Sequence, residues 1–178
     1  MYKSLSTLFL CCSLLFVSCQ GKEAVMKTPL EVVSFVDINK YTGTWYEIAR
    51  YPNSFQKDCF GSRAVYSLRD DGKIKVVNTC RKGSVRGKER SVSGKAWVVD
   101  EKTNARLKVS FFWPFSGNYW IIQLEENYEY AVVGNPSRKY LWVLSRTPRM
   151  EENTYQSILA RLQQQGYDPQ RVIKTPQQ

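Results

Sequence analysis

Between residues 44 and 146 the chain is a succession of short β-rich runs separated by turn signals at close intervals, a pattern that argues for an antiparallel sandwich or barrel. The runs are read at 44–51, 64–68, 74–77, 92–99, 105–111, 119–124, 128–133 and 140–145, which makes eight strands. Asp70-Asp71-Gly72 between the second and third is a hairpin signal, and Ala105-Arg106-Leu107-Lys108-Val109-Ser110-Phe111 alternates cleanly with period two. Residues 114–118 read as a loop, as does the basic, glycine-containing stretch 81–90. Tyr119-Trp120-Ile121-Ile122 and Tyr140-Leu141-Trp142-Val143-Leu144 are apolar on both faces. A one-sided sheet has no use for that. An eight-stranded barrel with an apolar interior and a helix packed outside does.

The helix follows Thr147-Pro148. Glu151 and Glu152 fall in its first turn, where the helix dipole favours negative charge. Tyr155, Ile158, Leu159 and Leu162 form one stripe at helical spacing, and Gly166 ends it. The stripe is expected to pack on the barrel. Val172-Ile173 is expected to add a short final strand.

Composition excludes several functions. The chain has no histidine, so the commonest general base and commonest metal ligand are both missing, and no Ser-His-Asp or Cys-His pair exists. No cofactor is called for. The net charge of +10 is spread among apolar residues, without a basic helix, zinc-finger spacing or compact Lys/Arg run. That argues against nucleic acid and favours an anionic headgroup layer.

Residues 1–18 read as a secretory signal: Lys3 supplies the positive start, and the apolar stretch 5–17 is too short and too interrupted for a membrane span. Phe16-Val17-Ser18-Cys19 resembles the lipobox of bacterial lipoproteins, in which a small residue precedes a cysteine that is acylated and becomes the new N-terminus. Phe16 departs from the leucine preferred there, and ordinary cleavage near the same place is the alternative. Gln20 in place of Asp after the cysteine implies sorting to the outer membrane. Residues 19–33 are then the lipidated N-terminus and tether, and 34–178 the folded domain. With Cys11 and Cys12 lost in the leader and Cys19 acylated, Cys59 and Cys80 remain as an even pair in an exported protein. A bridge between them is expected, with two unpaired buried thiols as the alternative.

Three segments carry a family resemblance. Gly43-Thr44-Trp45-Tyr46-Glu47-Ile48-Ala49-Arg50, preceded by Asp37-Ile38-Asn39-Lys40-Tyr41, matches the first block of the lipocalins, Gly-x-Trp. Asn127-Tyr128-Glu129-Tyr130 stands where that family has Thr-Asp-Tyr and keeps only the tyrosine. Leu144-Ser145-Arg146-Thr147-Pro148 matches the block whose arginine follows the last barrel strand, and Ser110-Phe111-Phe112-Trp113-Pro114-Phe115 is similar to a motif of the bacterial branch. The chain therefore resembles a lipocalin of the bacterial and apolipoprotein D branch. The resemblance implies an all-β fold: an eight-stranded antiparallel up-and-down barrel with one C-terminal helix packed outside.

It also implies that Trp45 plugs the closed end, that Arg146 lies across its indole as a cation–π pair, and that Gly43 lets the chain turn into the first strand. Alternation supplies the ligand-facing residues: Ala49 and Tyr51 on the face of Trp45, Leu107, Val109 and Phe111 on the fifth strand, and Trp142 on the face of Arg146 but higher. The implied function is binding, storage or transport of a fatty acid or lysophospholipid, without catalysis. The lipid anchor would hold the carrier at the outer membrane, facing the periplasm. A structural envelope lipoprotein with a filled barrel and a lipid-modifying enzyme are the competing readings.

Overall fold

The computed structural model describes residues 28–177. The expected leader, Cys19 and the lipobox-like stretch before it lie outside them. Eight strands follow one another as an antiparallel meander: β1 (Gly43–Arg50), β2 (Cys59–Leu68), β3 (Ile74–Lys82), β4 (Glu89–Val98), β5 (Arg106–Phe112), β6 (Phe115–Leu124), β7 (Tyr130–Gly134) and β8 (Leu141–Ser145). β1 pairs with β2 through Gly43–Tyr46 and with β8 through Tyr46–Arg50, and this double pairing closes the barrel. A short helix, α1 (Ile38–Tyr41), precedes β1, α2 (Glu152–Gln164) follows β8, and β9 (Ile173–Lys174) ends the order. β2, β3 and β6 run longer than sequence periodicity indicates. Residues 115–118, read as loop, open β6, because backbone pairing to β5 carries on where the residues are exposed and show no alternation.

Two apolar layers share the barrel wall. Trp45, Ala64, Tyr66, Leu107, Val133 and Leu144 fill the inside. Ile122, Val132, Leu141 and Val143 point outward and meet Tyr155, Ile158 and Leu162 of α2. That outer layer is why β6, β7 and β8 are apolar on both faces. Ile158 and Leu162 are completely buried, and each contributes about 1.5–3 kcal/mol. Gly166 takes φ +79° just past α2, and Tyr167 N–H closes on the Leu162 carbonyl at 2.9 Å, so the terminal carbonyls are satisfied.

Of the residues expected to form a tether, 19–33, those from Thr28 onward are described, and they pack on the barrel. Leu30 is buried, Val33 N–H donates to Ile121 O at 3.0 Å, and Thr28 O accepts from Arg138 Nη2 at 2.7 Å. Apolar residues on either side of Glu31 make this stretch worth packing against the barrel.

β1 diverges from β2 beyond Tyr46, and the segment 173–177 fills the gap. Thr175 N–H donates to Ile48 O at 2.9 Å and Gly61 N–H to Pro176 O at 2.8 Å. Gln177 Nε2 spans the seam, donating to Glu47 O at 2.6 Å and Ser62 O at 3.1 Å.

Cys59 and Cys80 are bridged, with Cα atoms 5.4 Å apart. Simple hairpin pairing would set Cys80 opposite Arg63. Instead a bulge between Phe60 and Arg63, with Gly61 at φ +57°, pulls the start of β2 along until Cys59 lies beside Lys82. Replacing both cysteines by alanine is expected to cost about 3 kcal/mol, read from denaturant unfolding of oxidised wild type against the variant. An unchanged midpoint would show that the bridge contributes nothing.

Candidate functional site

The closed end is built around one arginine. Arg146 lies over the Trp45 indole, 3.8 Å from its ring. Its Nη1 donates to Thr42 O and Thr44 O at 2.8 and 3.1 Å, its Nη2 to Lys40 O at 2.5 Å and its Nε to Tyr128 O at 3.2 Å. One guanidinium thus ties α1, the start of β1 and the β6–β7 loop together. Trp45 is completely buried and donates through Nε1 to Tyr41 O at 2.8 Å. Gly43 has φ +95°, and a Cβ there would stand 3.2 Å from Arg146 Nη1. Chain direction and arginine approach both favour glycine at this position.

Above this floor, Leu107, Val109 and Phe111 belong to the interior cluster, as β5 alternation requires. Phe111 lies against Gly94 of β4, where a Cβ would come within 2.7 Å of its ring. Trp142 also faces inward, and its indole N–H donates to Gln56 Oε1 at 2.8 Å. Tyr140 stacks on Trp142 at 5.9 Å, and Phe55 of the β1–β2 loop lies 6.3 Å from Trp142. The mouth therefore carries an aromatic cluster continuous with the inner wall.

Ala49 and Tyr51 are corrected. Both lie in the outer layer beneath α2, away from the interior. The cause is a bulge in β1: Glu47 pairs with Leu144 but Ala49 with Val143, so Ile48 and Ala49 both face outward. Beyond that point the alternation is inverted. Tyr51 instead donates its hydroxyl to Asp168 O at 2.9 Å and meets the Tyr167 ring edge-on at 5.7 Å.

Glu47 keeps the inward face of Trp45, and the inverted frame turns Arg50 inward as well, so the two lie opposite Leu144 and Trp142. They form a buried ion pair of 3.2 Å. Glu47 also accepts from Thr175 Oγ1 at 2.5 Å and Gln56 Nε2 at 2.6 Å. Burial pushes its carboxyl above the ordinary range, and the Thr175 bond, the Arg50 charge and the Gln56 bond pull back. Gln56 is the hinge of this network: one amide joins Glu47 to Trp142 and holds the β1–β2 loop against the mouth. The signal was present in the sequence. Glu47 and Arg50 are three apart in a strand of otherwise apolar and small residues, and they share a face only if a residue is bulged between them.

Three tyrosines also converge inside the barrel. Tyr119 Oη lies 2.8 Å from Tyr41 Oη and 2.9 Å from Tyr66 Oη. Nothing local in the sequence marks them, because hydrogen-bond pairing across 78 and 53 residues has no local pattern.

A lipocalin-like domain model matches residues 36–177. The outer membrane lipoprotein Blc of Vibrio cholerae is 39% identical, with 94% of this chain and 95% of that protein covered. Temperature-induced lipocalin-1 of Arabidopsis thaliana is 40% identical over 85% of this chain and 84% of its own. Apolipoprotein D of Macaca fascicularis is 33% identical over 92% and 90%. Among solved structures, insecticyanin from the tobacco hornworm Manduca sexta superposes with a TM-score of 0.68 at 19% identity, over 85% of this chain and 86% of that one, a likeness of fold. With the Trp45–Arg146 floor, the closed meander and the outer helix in place, the chain belongs to the lipocalin family.

Proposed function

We propose that the protein is a non-catalytic carrier that takes a fatty acid or lysophospholipid into its barrel while its N-terminus is anchored through Cys19 in a bacterial outer membrane, facing the periplasm. The observation that carries this reading is the partly exposed, inward-facing apolar wall of Val109, Phe111 and Trp142. Side chains that point into a barrel and still have accessible surface border interior space. Burial of an acyl chain there gains about 0.8 kcal/mol per CH2. The likeness to Blc lipoproteins at about 40% identity supports the envelope location and the anchor.

Trp142→Ala is expected to weaken fatty-acid binding by up to about 3 kcal/mol with the fold retained, measured by titration beside a thermal melt. Wild-type affinity in the variant would remove Trp142 from the ligand surface. Mass spectrometry of an organic extract from natively purified protein identifies the cargo directly. For the anchor, Cys19→Ser is expected to leave the precursor uncleaved or release soluble protein. A matured variant that still sediments with membranes would refute lipidation at that residue.

A further inference from the structure

The tyrosine cluster inside the barrel has one proton too many. Tyr41 comes from α1, Tyr66 from β2 and Tyr119 from β6, and their hydroxyls make two contacts with one another, both through Tyr119. Burial raises all three pKa values above the ordinary phenol value, Tyr66 to about 12, so at neutral pH each oxygen keeps its proton. Each hydrogen bond uses one proton. Three donors and two bonds leave one O–H without an acceptor among the described residues, whereas buried donors in folded proteins are almost always paired.

Either oxygen of each contact can be the donor, and the surroundings favour Tyr119 as the holder of the spare proton. Tyr41 is 3% exposed and Tyr66 7%, whereas Tyr119 is only partly buried. Yet Tyr119 faces inward, opposite Leu107 in the β5–β6 ladder and within the interior cluster. Its ring therefore stands on the interior wall of the barrel. With Tyr41 and Tyr66 both donating to Tyr119 Oη, the enclosed hydroxyls are satisfied and the spare proton belongs to Tyr119. Around it the inner wall is apolar, with Val76, Leu107 and Ile121 in the same cluster. Arg146, the cation that acts on Tyr41, covers the Trp45 ring at the closed end with its N–H groups on backbone carbonyls. A lone neutral donor in an apolar wall suits a neutral acceptor and offers no counter-charge to a carboxylate.

We propose that Tyr119 Oη donates a hydrogen bond to one uncharged oxygen carried along the buried part of the ligand, so that the barrel selects long acyl chains bearing an internal hydroxyl or keto group over the unsubstituted chain. This inference rests on the carrier reading above. Tyr41 and Tyr66 are positioning residues, which hold the acceptor side of Tyr119 and leave its proton for the cargo.

The test is a titration of the intact chain with stearic acid and a positional series of monohydroxystearic acids. At least one isomer is expected to bind about 3- to 10-fold tighter than stearic acid, the span of one added hydrogen bond. Tyr119→Phe is expected to abolish that preference while still binding stearic acid. Tyr66→Phe is expected to keep it, because Tyr119 retains its free proton. The inference is overturned if stearic acid binds and no isomer is preferred, as when a buried water satisfies Tyr119, or if Tyr119→Phe keeps the preference. Failure of every probe, stearic acid included, would overturn the carrier reading along with it.

Discussion

Trp45→Ala is expected to destabilise the fold by about 3–5 kcal/mol, a fall in melting temperature of roughly 6–20 °C for a chain this long. The indole is completely buried, and its removal also takes away the ring that Arg146 covers at 3.8 Å and the donor to Tyr41 O. Arg146 would keep its carbonyl contacts but lie over a void. The effect belongs to stability, because Trp45 forms the floor on which the barrel closes. Thermal melts decide it: a variant that melts like wild type would show that the floor is sealed by something else.

Glu47→Ala is expected to cost a comparable amount, about 3–5 kcal/mol, by leaving the buried Arg50 charge without its carboxylate and with only the neutral acceptors Thr175 Oγ1 and Gln56 O. The arginine already has one buried N–H, at Nε, without a partner among the described residues. Glu47→Leu with Arg50→Met removes both charges, and the double variant is expected to lose much less than the sum of the two single changes. Additive losses would show that the pair is not coupled. Titration adds a second signature. The folded state raises the Glu47 pKa, so it binds more protons than the unfolded chain. Glu47 therefore contributes stability below its ordinary pKa of about 4.3, and that contribution is lost as pH rises through the folded value. Glu47→Gln lacks this loss, so its stability relative to wild type is expected to climb across that window. Parallel pH–stability curves would refute the shift.

Much of the architecture is legible in the sequence, for physical reasons. Period-two alternation in β5 places Leu107 and Val109 in the interior cluster along a regular ladder with β4, and Phe111 stays with them although the pairing to β6 shifts between Val109 and Phe112. The stripe Tyr155, Ile158 and Leu162 packs on the barrel, and the doubly apolar strands lie beneath it. Trp45 and Arg146 meet because a short motif names both ends of one contact. Ala49 and Tyr51 escape, because a bulge is one extra residue with no side-chain signature, and every position after it changes face. The strand ends in β2, β3 and β6 escape for another reason: backbone pairing continues beyond the apolar residues that reveal a strand.

The seam between β1 and β2 sets an order of events. Residues 175–177 bond to Ile48, Gly61, Glu47 and Ser62, partners synthesised more than a hundred residues earlier. A chain emerging N-terminus first can pair its hairpins as they appear, but it cannot lock that gap until residues 175–177 have arrived. Until residues 175–177 are in place the earlier strands wait with one wall unsewn, so a truncation directly after α2 would be felt more than a hundred residues away, in the first strand.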